Sequence, residues 1–381
     1  MQHKQYKAHK AHKAIIGAGF GDEGKGLFTD YLCRNAEEPL VIRFSGGQQA
    51  GHTVVHNGIR HVFSNFGSGT LQGAPSYFAR FCTIDPVGIV NELDVLLEKG
   101  VDPLLYIDAK CPVTTPYDIR YNQQHHPHGS CGVGVGATIN REEHFYSLTF
   151  ADLFYPWVLE TRLELIKGFY QGLYQEYTDI ALEDFLQCCS VITRSPWVRM
   201  SRGMPSGPFS NYIYEGSQGL LLDQHYGFFP HVTRSDTGTK NILPLCADHV
   251  PEIYLITRAY QTRHGLGPLS YENISHNIKK NPLETNVCNR FQGEFRRGLL
   301  DLSLLEYAMQ RDSLIADDFG KSLVITCLDH VSDEYRFILE GQIIYCHDQD
   351  NFVKKIAEHL KIRKVYTSAS DDSAQLVRHV L

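Results

Sequence analysis

Short apolar runs that stop at glycine recur along this chain. Ala14-Ile15-Ile16-Gly17-Ala18 is the first and Leu40-Val41-Ile42-Arg43-Phe44 the second. Apolar runs of this length, bounded by turn residues, suit strands buried on both faces. A helical stretch from about Lys25 to Cys33 lies between them. Tyr212 to Gly216, Glu252 to Thr257 and Ser322 to Thr326 read as further buried strands that end at polar loops. Residues 85–100 carry apolar positions at helical spacing, as does Ser147 to Tyr177 with Trp157, Leu159, Leu163, Leu165 and Ile166. The Arg-, Gly-, Pro- and Met-rich stretch from Pro196 to Ser210 reads as a surface connection or lid. Strand, glycine loop, helix, strand is the alternation that builds a mostly parallel sheet. The expected fold is therefore α/β: a large central sheet with a phosphate loop, helices on both faces, and loop and helical excursions. Apart from a Lys-Ala-His echo near the start there is no repeat and no linker. Residues 14–381 read as one interwoven α/β domain behind a disordered leader, 1–13.

Composition narrows the function classes. At roughly 150 residues per domain, 381 residues allow two or three domains or one large one. Hydrophobic residues at 43% and charged residues at 21% exclude disorder, collagen and coiled coil. A net charge of −7 argues against nucleic acid as a partner. No apolar run approaches the ~18 residues of a membrane span, and the N-terminus lacks the apolar core of a secretory signal. The 10 cysteines form no Cys-x-x-Cys pair. They read as reduced core residues of a cytoplasmic protein. The Lys and His of the leader can bind metal or anion; the plainer reading is a solvated segment.

Candidate chemistry sits on two glycine loops. Gly19-Phe20-Gly21-Asp22-Glu23-Gly24-Lys25-Gly26 follows a strand and opens a helix. Gly-x4-Gly-Lys is the spacing of a phosphate loop, in which main-chain N–H groups and the helix N-terminus hold phosphate. Lys25 would sit on phosphate oxygens. Gly26 replaces the usual Ser or Thr, whose hydroxyl ligates Mg²⁺; the Asp22 carboxylate offers a hard oxygen instead. The second loop, Ser45-Gly46-Gly47-Gln48-Gln49-Ala50-Gly51-His52-Thr53, follows the next strand. Its tip is expected at the same sheet edge, where such folds bind ligands. His52 there can donate to phosphate or serve as a general acid.

Together these loops resemble the adenylosuccinate synthetase family. Further blocks agree in order: Glu215-Gly216-Ser217-Gln218-Gly219, Pro230-His231-Val232-Thr233, Thr262-Arg263-His264-Gly265-Leu266-Gly267-Pro268, and Thr326-Cys327-Leu328-Asp329. The likeness runs from about residue 14 to 375. It implies ligation of L-aspartate to the 6-position of a purine nucleoside monophosphate, with a nucleoside triphosphate and Mg²⁺, through a 6-phosphoryl intermediate. By the same match Asp22 is the proton acceptor and a metal ligand, with the Gly51 carbonyl as a second ligand, and His52 and Lys25 are catalytic. Gln49, Ser130, Cys131, Gln218, Thr233 and Arg263 would bind substrate. Gly21, Glu23, Gly24, Lys25, Gly26, Thr53, Asp329 and Ser368 would bind triphosphate. The family is homodimeric, and Arg141 is the nearest candidate for an arginine that reaches the partner subunit's nucleotide.

Departures cluster at ligand positions. Gln48-Gln49 stand where the family has His-Asn, Ser130-Cys131 where it has Thr-Thr, and Cys327 where it has a lysine beside the base. The last leaves both GTP and ATP open as donors. The family's run of four arginines thins to Arg296 and Arg297, with Arg290 nearby and Glu294 opposing. Arg296 and Arg297 are expected to read the amino acid's carboxylates. Three readings follow: an aspartate ligase on a 6-oxopurine nucleotide, a specialised paralogue using another purine (such as dGMP) or another amine, and a non-catalytic nucleotide sensor.

Overall fold

The computed structural model describes residues 10–125, 130–173, 180–247, 249–286, 288, 291–317, 320–332 and 334–381. Its strands, in chain order, are β1 (Ala11–Gly17), β2 (Pro39–Arg43), β3 (His52–His56), β4 (Ile59–Phe63), β5 (Ser76–Phe78), β6 (Leu105–Asp108), β7 (Val198–Ser201) and β8 (Asn211–Glu215). They continue with β9 (Glu252–Arg258), β10 (Tyr260–His264), β11 (Phe295–Asp301), β12 (Lys321–Thr326), β13 (Tyr335–Leu339), β14 (Gln342–Cys346), β15 (Lys364–Thr367) and β16 (Val377–Val380). Ten form one sheet in the order β16-β15-β12-β9-β1-β8-β2-β5-β6-β7. Every pairing in it is parallel except β15 with the edge strand β16. A four-stranded sheet, β10-β11-β13-β14, and the β3–β4 hairpin complete the set.

The central strands read as unbroken apolar runs because both faces are covered. On one face Ile15, Val41, Ile213, Tyr254, Ile256 and Val324 pack against Phe28 and Leu32 of helix α1 (Lys25–Arg34). Their alternate neighbours Ala14, Ile16, Leu40, Ile42, Leu255 and Ile325 face Leu302, Leu305 and the helix Gln349–His359 on the other. A second core, around Ile89, Leu93, Leu105, Ile107, Leu163 and Ile192, joins β5 and β6 to the excursions. These are α2 (Pro86–Glu98), α3 (Pro116–Gln124), α5 (Pro156–Leu173) and α6 (Glu183–Arg194), while α4 (Val135–Glu143) is tied to α3 by the Arg141–Asp118 ion pair. The fold is thus the α/β class expected, with helices on both faces.

Three local expectations are corrected. The sheet begins at Ala11, inside the supposed leader: Ala11 N–H donates to Ser210 O at 2.9 Å, and the His12 ring stacks on Tyr212 at 4.9 Å. Backbone pairing and ring stacking make that strand where no apolar run exists; residues 1–9 of the leader lie outside the described residues. The stretch from Pro196 to Ser210 contributes the edge strand β7, paired with β6. The helix expected from Ser147 starts at Pro156, after a short 3-10 turn, Phe150–Phe154. The end of that expectation, residues 174–177, lies outside the described residues. Within α5 Leu159, Leu163 and Ile166 are buried, whereas Trp157 and Leu165 face outward.

Arg141 is 0% exposed and is engaged within its own chain. Its Nε donates to Asp118 Oδ1 at 2.9 Å and its Nη2 to Val113 O at 2.8 Å. Asp118 also accepts from Tyr170 Oη at 2.6 Å and from Thr115 N–H at 2.7 Å, closing the box that caps α3. From α3, Asn122 Oδ1 accepts from Ser130 Oγ at 2.8 Å and Gly134 N–H at 3.2 Å, so the network shapes the 130–134 loop. Removing one partner of a buried ion pair strands the other's charge. Arg141→Met is therefore expected to destabilise the chain by about 3–5 kcal/mol in urea unfolding. A loss below about 1 kcal/mol would contradict the assignment of Asp118 as its buried counterion.

Candidate active site

Neighbouring parallel strands β12, β9, β1, β8 and β2 all point the same way. The segments that leave their C-terminal ends therefore meet at one edge of the sheet. After β1 the chain makes the glycine loop and enters α1 at Lys25. The residue before it, Gly24, is left-handed (φ 94°), and no side chain caps the helix. A Cβ on Gly24 would also lie 3.0 Å from Thr326 Cγ2. The first N–H groups of α1 are thus left to the cavity, an arrangement that suits an anion. Gly26 is required by a neighbour: a Cβ there would lie 2.8 Å from the Cβ of His52. The second loop occupies the space that a Ser or Thr would need.

Lys25 is 3% exposed. Its Nζ donates to Gln218 O and lies 3.9 Å from Glu23 Oε2, which ties the first loop to the segment after β8. Burial pushes the Lys25 pKa down against the pull of Glu23 and Asp22. Burial also pushes Glu23 up to about 7, although Lys25 and the Gly19 N–H favour its charged form. His52, 7% exposed, has Nδ1 2.8 Å from Glu215 Oε1. Glu215 also accepts from Ser68 N–H at 3.1 Å. Burial alone would raise Glu215, but His52 and Arg43 outweigh it and hold the carboxyl down at about 2. The ionised carboxylate fixes the Nδ1–H tautomer and leaves Nε2 for the cavity. Burial lowers the His52 pKa despite Glu215, which favours the neutral ring.

A cavity of about 500 Å³ opens at this edge. Gly21, Asp22, Glu23, Gly24, Lys25, Gly26, Gln49, Gly51, His52, Thr53, Gln218 and Asp329 all line it. Gln49 Nε2 donates to Gln218 Oε1 at 3.3 Å, so the longer amide still meets its neighbour across the two loops. The other expected residues lie elsewhere. Ser130 and Cys131 belong to the loop braced by Asn122; Gly129 of that block is outside the described residues. The Thr233 N–H donates to Leu222 O, and Ser368 holds the Leu328 N–H through its carbonyl. Arg263 is 1% exposed and donates to Leu266 O, Pro268 O and His231 O, each at 2.9 Å. Arg296 donates to Glu272 Oε2 at 2.7 Å and to the carbonyls of Gly265 and Gly267. Arg297 donates to Lys279 O at 3.3 Å and lies over Phe295. None of these three arginines lines the cavity, and Arg290 is outside the described residues.

Sequence reasoning missed Arg258 and Glu284, which line the same cavity and pair at 3.0 Å. Arg258 is the charged last residue of an apolar strand whose neighbours all feed the site; that position was the available signal. Cys327, in a left-handed conformation (φ 57°), also faces the cavity. Burial would raise its thiol, but Arg258 and His330 pull it below the ordinary range.

For Mg²⁺ the described residues offer no group of three or more His, Cys, Asp or Glu. They do place Asp22 and Gly51 among the residues that line the same cavity. One carboxylate and one carbonyl suit an ion that keeps several waters and takes its remaining oxygens from substrate phosphates. The donor set fits.

Fold and site together define an α/β nucleotide-binding protein whose phosphate loop opens onto a second, histidine-bearing loop. A family model for adenylosuccinate synthetase matches residues 14–371. The chain belongs to the adenylosuccinate synthetase family of C–N ligases. It is 31% identical over 361 residues to adenylosuccinate synthetases of Francisella tularensis strains, among them WY96-3418 and U112 of subspecies novicida; the match covers 87% of this chain and 82% of each relative. Among solved structures, fully ligated adenylosuccinate synthetase from Plasmodium falciparum superposes with TM-score 0.73 at 17% identity, over 96% of this chain and 99% of that one. Succinoaminodeoxyadenylate synthetase of cyanophage S-2L, bound to dGMP and dATP as an energy donor, superposes with TM-score 0.66 at 14% identity, over 98% and 96%. Among the described residues no helix is long and apolar enough to cross a membrane.

Glu23 carries a pH prediction. Its pKa rises from 4.5 to about 7 on folding, so the native state holds a proton that the unfolded chain has lost between those values. The resulting stability is fully present below pH 4.5 and is lost as pH rises through 7. Glu23→Gln removes that dependence. Relative to the variant, the natural chain is expected to lose stability between pH 5 and 7.5 in denaturant titrations. A difference that stays flat over that range would contradict the buried, proton-holding Glu23.

Proposed function

We propose that the chain joins L-aspartate to the 6-position of a 6-oxopurine nucleoside monophosphate, coupled to cleavage of a nucleoside triphosphate. The observation that carries this reading is the meeting of Asp22, Lys25 and His52 on one cavity at an uncapped helix N-terminus, with Glu215 bonded to His52 behind it. Asp22 takes the N1 proton, which turns O6 into an oxyanion nucleophile. O6 attacks the γ-phosphorus and the nucleoside diphosphate leaves. The aspartate amine then attacks C6, the C6–O6 bond breaks, and inorganic phosphate departs with O6. Lys25 and the first N–H groups of α1 hold the triphosphate. An anion beside His52 favours its protonated form, so Nε2–H stabilises charge on the phosphoryl group in flight. Asp22 and Gly51 would hold Mg²⁺, which would supply charge neutralisation for phosphoryl transfer.

A second reading is favoured by the arginines. Of the two arginines expected to read the amino acid, Arg296 spends its guanidinium donors on the Gly265 and Gly267 carbonyls and on Glu272. A dicarboxylate reader needs such donors free. On that reading the enzyme uses another amine, or another purine such as dGMP, the nucleotide bound in the cyanophage neighbour. Cys327 beside Asp329 keeps both GTP and ATP open as donors. A panel of purine monophosphates and amino acids with GTP or ATP, read by phosphate release and mass spectrometry, separates the readings. Adduct formation from inosine monophosphate and aspartate supports the first; adducts only from other pairs replace it with the second.

Asp22→Ala and His52→Ala are each expected to lower kcat by about 10²–10⁴ without loss of secondary structure by circular dichroism. Either folded variant keeping half the natural rate would remove that residue's assigned role.

A further inference from the structure

Asp22 is a non-glycine residue held at φ 58° between Gly21 (φ 89°) and Gly24 (φ 94°). A side chain in that region is uncommon and persists where the surroundings over-determine it. Here the surroundings are three strands that hold three consecutive carbonyls of the loop. Thr262 Oγ1 of β10 donates to Gly21 O at 3.4 Å. Arg258 Nε of β9 donates to Asp22 O at 2.5 Å. Thr326 Oγ1 of β12 donates to Glu23 O at 2.8 Å.

Of the three, Arg258 has the most elaborate anchoring. It is 7% exposed, and its Nη1 donates both to Tyr260 Oη at 2.8 Å and to Glu284 Oε2 at 3.0 Å. Glu284 is itself braced: its Oε1 accepts from Asn286 N–H at 3.3 Å and Asn286 Nδ2 at 3.1 Å. A planar guanidinium can hold a carbonyl on one edge and a carboxylate on another at fixed angles; an ammonium cannot. A buried cation in such a cavity could instead read phosphate directly. Glu284 already neutralises this one, and Nε points its hydrogen at the loop's main chain.

We propose that Arg258, anchored by Glu284, is the positioning residue that holds the Asp22 peptide in its left-handed conformation and so aims the Asp22 carboxylate into the cavity. This rests on the reading of Asp22 as proton acceptor. Arg258 touches no reacting atom in this role. Its loss disturbs the geometry of proton transfer and leaves nucleotide binding intact.

The test compares Arg258→Met, Arg258→Lys, Glu284→Gln and Asp22→Ala in the full chain, using the substrate pair found active. Steady-state kinetics and hydrogen exchange of the 19–24 amides are the two readouts. Displacing a catalytic group by about 1 Å costs on the order of 100-fold. Arg258→Met is expected to lower kcat by that amount, to leave KM for both nucleotides within about twofold, and to speed exchange in the loop. Arg258→Lys, which keeps the charge without the fork, is expected to restore only part of kcat. Glu284→Gln is expected to lower kcat by on the order of tenfold. A raised triphosphate KM at unchanged kcat would show Arg258 reading phosphate and overturn the proposal. So would natural kcat and natural loop exchange in Arg258→Met. Should that variant not fold, Glu284→Gln decides alone, because natural kcat and exchange there are equally fatal. Turnover retained by Asp22→Ala would bring down the proton-acceptor reading, and this proposal with it. A dead Asp22→Ala beside unaffected Arg258 variants brings down the positioning role only.

Discussion

The ammonium of Lys25 is buried at the mouth of an uncapped helix and donates to the carbonyl of Gln218. That contact spans 193 residues of chain and joins the loop after β1 to the loop after β8. An isolated buried cation is costly, so its surroundings must supply negative charge. Glu23 supplies some of it from the same loop, yet burial favours the neutral form of both. Asp22 and the ionised Glu215 add to the negative charge that Lys25 feels there. The same tension explains the second loop. His52 is packed against Gly26, and the buried Glu215 carboxylate orients its ring towards the cavity.

Such a site forms because five adjacent parallel strands end at one edge. Their apolar alternation, covered on both faces, fixes the register. The register in turn sets the loops to within hydrogen-bonding distance of one another: Thr326 with Glu23, Arg258 with Asp22, Gln49 with Gln218. Excursions through α2 to α6 carry their own core and, through Asp118 and Arg141, shape the loop that holds Ser130. The arginines near the supposed amino-acid site are engaged with main-chain carbonyls, Glu272 and an aromatic ring. In this conformation they organise turns.

The sheet and both glycine loops were legible because buried parallel strands and phosphate loops leave local signatures: apolar runs, then glycines at fixed spacing. Twelve of the expected ligand residues line one cavity for that reason. What escaped was set by tertiary contact. The first residues of β1 are strand through pairing with β8 and stacking on Tyr212, which no apolar period announces. The burial of Arg141 was not legible either, because nothing local reveals that Asp118 meets it from another helix. Arg258 and Glu284 are 26 residues apart and belong to no motif; only the fold brings them together.

The proposed reaction turns on phosphorylation of the purine O6 and its departure as phosphate. Oxygen-18 placed at O6 of the substrate monophosphate follows that atom, with the released phosphate and the adduct read by mass spectrometry. One labelled oxygen is expected in each phosphate formed with adduct, and none at the 6-position of the product. Unlabelled phosphate, with the label lost to water or retained on the purine, would contradict it.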